Sequence, residues 1–380
     1  MLVAGEPSGD LLGARLMSAL GERTHGRARF FGVGGEAMSA QGLESLFPMS
    51  ELSVMGLAEV LPRVPRLFRR LRETQAAALA AGPDALVTID SPGFNFRLAK
   101  RLRGHGIPLV HYVAPSVWAW RPGRARKVAG FLDHLLALLP FEPPYFERHG
   151  LACSFVGHPA VEGGVGAGEG ERFRQGHQVG AAPLVLLLPG SRMMEVGRHL
   201  PIFEATLARL RRGQPDLVAA LPAAPAVAGA VLTGVGRWPG RNLVVVGEAE
   251  KFDAFAAADA ALAVSGTVTL ELALAATPTV VAYRGNLLSA AIARRLLRIE
   301  HVSLANILLG RELQPEFLQE NCQADGLAAA LEARLAGGAD EPLAEAARAL
   351  KSMLAPDGAR PSSRAADVVL EVVRKGRGAS

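Results

Sequence analysis

The sequence predicts an α/β fold of two doubly wound, Rossmann-like parallel-sheet domains facing across a cleft, with helices at its C-terminal end. Three observations predict it. Short apolar runs alternate with longer helical patterns along almost all of the chain. A glycine-rich stretch, EGGVGAG at 162–168, interrupts that alternation near the middle. The length of 380 residues exceeds what one hydrophobic core usually serves.

Taken in order, the runs at 2–4, 28–33, 85–90, 108–112, 134–139 and 154–156 read as strands of a first sheet. Those at 184–188, 217–221, 243–246, 260–264 and 279–282 read as strands of a second. The domains are accordingly 1–160 and 169–355, with the glycine stretch as a linker. The remaining segment, 356–380, follows the turn Pro356-Asp357-Gly358. Its helix carries Ala365, Val368, Val369 and Val372 on one face and is placed back on the N-terminal domain. Ligands of such sheets bind outside the carboxyl ends of the strands.

Composition narrows the function. Apolar residues make up 49% and charged residues 20%, a folded composition without an uninterrupted span long enough to cross a membrane. Two cysteines, Cys153 and Cys322, cannot frame a disulfide scaffold, and no paired-cysteine metal spacing exists, which suits a reducing cytoplasmic setting. Residues 1–159 hold 18 Lys+Arg against 13 Asp+Glu, whereas the remainder holds 23 of each. The excess positive charge therefore points to an anionic partner of the first half. Nucleic acid is disfavoured, because aromatics are only 6% and no basic-aromatic binding module is present.

Four stretches carry candidate chemistry. IDSPGFN, 89–95, places Asp90 at a strand's carboxyl end just before a Pro-Gly turn, where chemistry is expected. GEPSGD, 5–10, joins a strand to a helix N-terminus that suits an anion or a hydroxyl; Ser8 reads equally as a cap and as a ligand contact, and Asp10 as structural. LLPGSR, 187–192, brings Gly190 and the cation of Arg192 to a second such turn. An arginine at a helix start opposes the helix dipole, so a compensating anion, a diphosphate, is expected there; the plainer reading is a surface arginine. SGTVTLE, 265–271, offers Ser265, Gly266 and Thr267 to phosphates and places Glu271 where two ribose hydroxyls can reach it. Capping would account for Ser265 and Thr267 but not for Glu271. Together these turns describe a nucleotide-sugar site without a Walker lysine.

The histidines lack metal-cluster spacing, so no metal is expected. His111 and His158 stand at strand ends, and a satisfied structural role is the favoured reading of each. In 54–72, Val60, Val64, Leu67 and Leu71 recur at helical spacing while Arg63, Arg66 and Arg70 fall on another face. Pro62 and Pro65 are expected to break or bend this segment early. With Met55 and Phe68, the segment reads as an interfacial surface for anionic lipid; a solvated arginine face is the alternative.

GEPSGD, VMGLAEVL, IDSPGFN, HYVAPSVWAWR, LPFE, GHP, LLPGSR, SGTVTLELALAATPTVVAYR and VSLANILLGRELQPEFLQE occur in one order from about residue 3 to 373. As a set they resemble the lipid-A-disaccharide synthases, glycosyltransferases of the two-domain GT-B type. The resemblance implies an inverting, metal-independent transfer of 2,3-diacylglucosamine from UDP to 2,3-diacylglucosamine 1-phosphate, with no cofactor. It also implies an N-terminal acceptor and lipid-side domain, a C-terminal donor domain, and peripheral attachment to the cytoplasmic face of the inner membrane. A homodimer is left open. Carried over by residue, Asp90 matches the acid regarded as catalytic base, and Glu6 and Ser8 an active-site loop. Arg192, Ser265, Gly266, Thr267, Glu271, Asn306, Arg311 and Glu312 fall in donor-binding segments. Gly93 stands where the family commonly has an acidic residue, which leaves Asp90 the sole acid of its motif. The rivals are a UDP-sugar epimerase or another GT-B glycosyltransferase, a nicotinamide dehydrogenase (disfavoured by the missing glycine fingerprint), and a non-catalytic lipid or nucleotide binder.

Overall fold

The structure, a computed structural model, describes residues 1–52, 57–120, 123–285, 300–337 and 341–378. The chain divides into two compact units, Met1–Pro159 with Met353–Ser380, and Ala160–Ser352.

In the first unit β1 (Leu2–Ala4), α1 (Pro7–Arg23), β2 (Phe31–Val33), α2 (Glu36–Ala40), β3 (Glu44–Ser45), α3 (Leu57–Ala81) and β4 (Leu86–Ile89) are followed by α4 (Pro92–Leu102). Then come β5 (Leu109–Tyr112), α5 (Gly123–Ala129), β6 (His134–Ala137), α6 (Pro143–Glu147) and β7 (Ala152–Phe155). The strands form one parallel sheet in the order β3-β2-β1-β4-β5-β6-β7. Apolar side chains cover both of its faces, as a doubly wound sheet requires. Val3, Leu86 and Leu109 pack with Leu71, Leu98 and Val128 on one side. Leu2, Ile89 and Tyr112 pack with Leu12 and Leu16 on the other.

The second unit contains α7 (Gly170–Gly176), β8 (Leu184–Leu188), α8 (Met193–Gly213), β9 (Val218–Pro222), α9 (Pro225–Val235), β10 (Asn242–Val245), α10 (Glu248–Ala257) and β11 (Ala260–Val264). It continues through α11 (Thr267–Leu274), β12 (Thr279–Tyr283), α12 (Leu304–Leu309), β13 (Glu316–Leu318), α13 (Ala324–Gly337) and most of α14 (Glu341–Leu354). Its parallel sheet runs β10-β9-β8-β11-β12-β13. The expected α/β class with two doubly wound sheets is what the structure has.

The last helix, α15 (Pro361–Gly378), lies in the first unit. Ala365, Ala366 and Val369 are buried in the cluster that holds Leu12 and Leu16 of α1. Arg23 grips Asp367 through Nε at 2.6 Å and Nη2 at 3.0 Å. Residues 353–380 carry 5 Lys+Arg against 3 Asp+Glu, so the first unit totals 23 against 16 and the second 18 against 20. The charge asymmetry is thus sharper by unit than by halves of the sequence.

Three expectations need correction. The glycine stretch is packed rather than a bare linker: a Cβ at Gly168 would stand 2.0 Å from the carbonyl oxygen of Phe252. The next amide, of Glu169, donates to Asp253 Oδ1 at 2.7 Å. Pro62 and Pro65 do not break α3, which runs 25 residues through both. Further along it Leu71, Thr74 and Ala78 bury a stripe at helical spacing, and that packing holds the helix. β3 and β13, absent from the sequence reading, are two- and three-residue strands too short to show a period.

Candidate active site

In the first sheet β1 lies between β2 and β4, so the strand order reverses between β1 and β4, and ligands of such folds gather at that switch point. The turns after β1, β4 and β5 meet there. Gly5 is required for the meeting, since a Cβ on it would fall 2.5 Å from Ser91 Oγ. Asp90 and Ser91 are left-handed, at φ 49° and 43°, and Val113 after β5 is at φ 84°. A β-branched residue there is a genuine outlier, and strain of this kind collects where a site dictates the backbone.

The hydrogen bonds show what holds it. The Asp90 amide donates to the Tyr112 carbonyl at 2.9 Å. Asn95 Nδ2, with no exposed surface, faces the carbonyls of Asp90 at 2.8 Å, Ile89 at 3.0 Å and Val3 at 3.3 Å. Asp90 is partly exposed and lines a pocket of about 230 Å³ with His111, Ser116, Trp120 and Arg124. Asp90 therefore lines a cavity and is not sealed in the hydrophobic interior.

Glu6 is the N-cap residue of α1 and makes no side-chain cap, while Pro7 begins the helix and Ser8 is exposed in its first turn. Ser8 is therefore not the cap. Asp10 serves the start of α2 instead, accepting from the amides of Gly35, Ala37 and Met38 at 2.7, 2.9 and 3.1 Å. Gly93 is exposed, with open space around a would-be Cβ out to Arg97 at 4.0 Å, so nothing steric dictates the lost acid.

His111 is buried, 2.8 Å from Thr88 Oγ1 and edge-on to Phe96. Burial, and then the Arg124 guanidinium, lower its pKa to about 3, so it is a neutral wall. His158 is likewise buried and lowered to about 4. Glu142, which the sequence reading quoted within LPFE but did not assign, is buried 3% exposed. It accepts from Trp118 Nε1 at 3.2 Å and from the amides of Leu138 and Leu139 at 3.1 and 3.0 Å. Burial lifts its pKa to about 7 against those three donors. It anchors the 113–120 segment that walls the pocket. The available signal was the one that marked Asp90: an acid closing an apolar run.

In the second unit the switch point lies between β8 and β11. Gly190 is at φ 116°, and a Cβ there would meet Glu195 at 2.6 Å. Glu195 Oε2 accepts from the Ser191 amide at 3.1 Å, and Oε1 stands 3.4 Å from Arg192 Nη1. The anion expected to compensate Arg192 is thus supplied by the same turn, a box-like arrangement in which the third helical residue reaches back. Arg192 itself remains 54% exposed along its side chain. His199 ties this helix to the end of β12. Its Nε2 accepts from the Arg284 amide at 2.9 Å, so Nδ1 bears the hydrogen and donates to the Glu195 carbonyl at 2.8 Å. Burial lowers its pKa, in keeping with that neutral form.

Gly266 and Thr267 are exposed at the start of α11, and Ser265 Oγ donates to the Val302 carbonyl at 3.3 Å. Glu271 pairs with Lys251 Nζ at 3.1 Å, a partner 20 residues away that no local pattern announces. Arg311 and Glu312 are exposed. Asn306 requires correction as a donor contact. It is fully buried; Nδ2 donates to the Gln314 carbonyl and Glu316 Oε1, and Oδ1 accepts from the amides of Leu313 and Gln314. With every bond spent inside the chain, it shapes the 313–316 segment. Glu316, also missed, accepts from the Val302 and Ser303 amides ahead of α12.

On α3 the basic residues separate. Arg70 is engaged twice with Glu51, at 2.6 and 2.8 Å, once with Glu73 at 2.7 Å, and lies over the Phe47 ring. It is a structural clamp and must be removed from the lipid-facing set. Arg66 is exposed, Phe68 is 45% exposed and Leu67 is half-buried. Met55 and the side chain of Arg63 lie outside the described residues. Among the described residues no helix is long and apolar enough to cross a membrane, and no group of three His, Cys, Asp or Glu side chains could hold a metal ion.

Over residues 1–360 the sequence matches the lipid-A-disaccharide synthetase family. A lipid-A-disaccharide synthase of Rhodospirillum centenum is 54% identical over 382 residues, covering 98% of this chain and 94% of its own. One from Paramagnetospirillum magneticum is 50% identical over 384 residues, covering 99% and 98%. Among solved structures, the calicheamicin glycosyltransferase CalG4 aligns with a TM-score of 0.61 at 20% identity, over 98% of this chain and 97% of its own. A UDP-GlcNAc 2-epimerase from Neisseria meningitidis, bound to UDP-GlcNAc, aligns at 0.56 and 11% identity, over 96% of each chain. At those identities the structures show a common GT-B fold and nothing finer.

Proposed function

The chain belongs to the lipid-A-disaccharide synthase family, and from that premise we propose how its residues divide the reaction. The reaction transfers 2,3-diacylglucosamine from its UDP derivative to the 6-hydroxyl of 2,3-diacylglucosamine 1-phosphate, giving the β-1′,6-linked disaccharide and UDP. Asp90 is the general base. It takes the proton of the acceptor hydroxyl as that oxygen bonds to the anomeric carbon, and the bond from that carbon to UDP breaks with inversion. One observation carries this assignment: a partly exposed carboxylate on a strained, doubly tethered turn at the switch point, opening on a pocket. Glu6 and Ser8 follow Gly5, which approaches Ser91 of that turn, and supply the active-site loop.

In the second unit the exposed turns of Gly190–Arg192 and Ser265–Thr267 take the diphosphate, with Arg192 meeting the charge that develops on departing UDP. Glu271 is positioned for the ribose, held by Lys251, and Arg311 and Glu312 lie open to the donor. The Neisseria epimerase, bound to UDP-GlcNAc, supports a nucleotide-sugar site in this fold. No metal or cofactor enters the scheme. Peripheral attachment to the cytoplasmic face of the inner membrane rests on Arg66, Leu67 and Phe68 of α3 and on the basic first unit.

The test is UDP release and disaccharide formation from the two lipids in EDTA, repeated with Asp90→Asn. The variant is expected to fold normally and lose about 10²- to 10⁴-fold in kcat. Near-normal turnover would remove Asp90 from the chemistry. UDP-sugar turned over with no acyl acceptor present would favour the epimerase reading instead.

A further inference from the structure

We propose that Arg124 is the acceptor-phosphate anchor: its guanidinium, on the wall of the Asp90 pocket, binds the sugar 1-phosphate and so selects the phosphorylated acceptor. The inference rests on the reading of Asp90 as base and adds a ligand subsite to it. Arg124 and Asp90 line the same 230 Å³ pocket, together with the exposed hydroxyl-bearing Ser116 and the 40% exposed Trp120. The guanidinium carbon lies over the Phe96 ring, 5.4 Å from its centroid, a cation–π contact that limits its freedom.

Charge makes the assignment specific. The acceptor brings a phosphate dianion into a pocket whose base must itself be an anion. Without a neighbouring cation the two would repel, and the base would be driven toward its protonated form. Among the described residues lining the pocket, Arg124 is the one permanent cation. His111 cannot take the role, because it is sealed from water and held neutral. A planar fork of donors is also the group best matched to phosphate oxygens. The net charge of the unit, 23 Lys+Arg against 16 Asp+Glu, draws a dianionic lipid toward the same half of the molecule.

The experiment compares 2,3-diacylglucosamine 1-phosphate with its 1-hydroxyl counterpart on wild type, Arg124→Met and Arg124→Lys. Wild type is expected to lose on the order of 10- to 100-fold in kcat/KM when the phosphate is absent. Arg124→Met should lose as much on the phosphorylated acceptor, lose less than about twofold on the other, and leave the donor KM unchanged, with Arg124→Lys between. Equal losses on both acceptors overturn the proposal, as does a loss expressed in the donor KM, which would place the donor diphosphate there. Tryptophan fluorescence titration with each acceptor alone, read from Trp120 on the pocket rim, supplies a second measurement independent of turnover. Weaker binding of the phosphorylated acceptor by Arg124→Lys supports the proposal, and unchanged binding refutes it. If wild type forms no disaccharide, the reading of function falls while the fluorescence arm still decides Arg124.

Discussion

Asn95 Nδ2 donates to the main-chain carbonyl of Asp90 at 2.8 Å while the amide of the same Asp90 donates to Tyr112 at 2.9 Å. The two bonds hold a non-glycine residue at φ 49°, a conformation that costs of order 1–3 kcal/mol. The carboxylate is therefore aimed by its backbone, and the asparagine that ends the IDSPGFN motif is a positioning residue.

Asn95→Ala should lower stability by about 1–3 kcal/mol, because up to three buried carbonyls lose a shared donor. It should also reduce kcat by more than it changes the acceptor KM, since a displaced base still leaves the pocket intact. Urea unfolding and steady-state kinetics together check this; an effect on stability alone would make Asn95 purely architectural. Asn95→Asp, which turns a carboxylate toward those oxygens, should be worse.

The pH dependence of stability carries two opposing contributions. His111 and His158 have folded pKa values lowered by burial to about 3 and about 4, against about 6.5 unfolded. Their contribution is fully present above pH 6.5 and is lost as pH falls through those folded values. Glu142 is raised by burial to about 7, so its contribution is present below its unfolded value of about 4.5 and is lost as pH rises toward 7. Between pH 4.5 and 6.5 unfolding thus takes up protons on two histidines and releases one from Glu142. Glu142→Gln should steepen the rise of stability with pH by up to about 1.4 kcal/mol per unit. Urea titrations across that window measure it, and an unchanged slope would mean that the folded carboxyl is already ionised.

Two arginines of one helix should separate stability from lipid binding. Arg70→Ala removes the clamp on Glu51, Glu73 and Phe47 and should lower Tm. Arg66→Ala, with its side chain 59% exposed, should leave Tm nearly unchanged and weaken binding to anionic vesicles in a salt-sensitive way. Co-sedimentation with phosphatidylglycerol vesicles and a melting curve distinguish the two. Matching vesicle losses for both variants would return Arg70 to the lipid-facing surface.

Much of this was legible before any fold was known. Apolar runs such as LVLLL at 184–188 and AALAV at 260–264 are buried strands in the sheets they predicted. An acid closing such a run marked Asp90, and the same signal at Glu142 stood in plain view within LPFE. Other residues were opaque for one reason. Glu51 and Arg70, Lys251 and Glu271, and His199 and Arg284 are joined across 19, 20 and 85 positions of chain. Residue type and local spacing cannot say which of several arginines or carboxylates the returning chain will meet.

The sequence by itself determined the alternating pattern, the two parallel sheets, the family and the place of the candidate base, because burial on both faces of a sheet imposes a periodicity that short windows reveal. Only the tertiary structure decided which polar groups are spent on the fold and which are offered to a ligand. It retired Arg70 and Asn306 into the scaffold, gave Arg192 its own carboxylate in Glu195, and put Arg124 on the wall of the pocket that Asp90 lines. Hydrogen-bond satisfaction in a buried interior is a property of three-dimensional neighbours, and those neighbours come together only when distant segments pack.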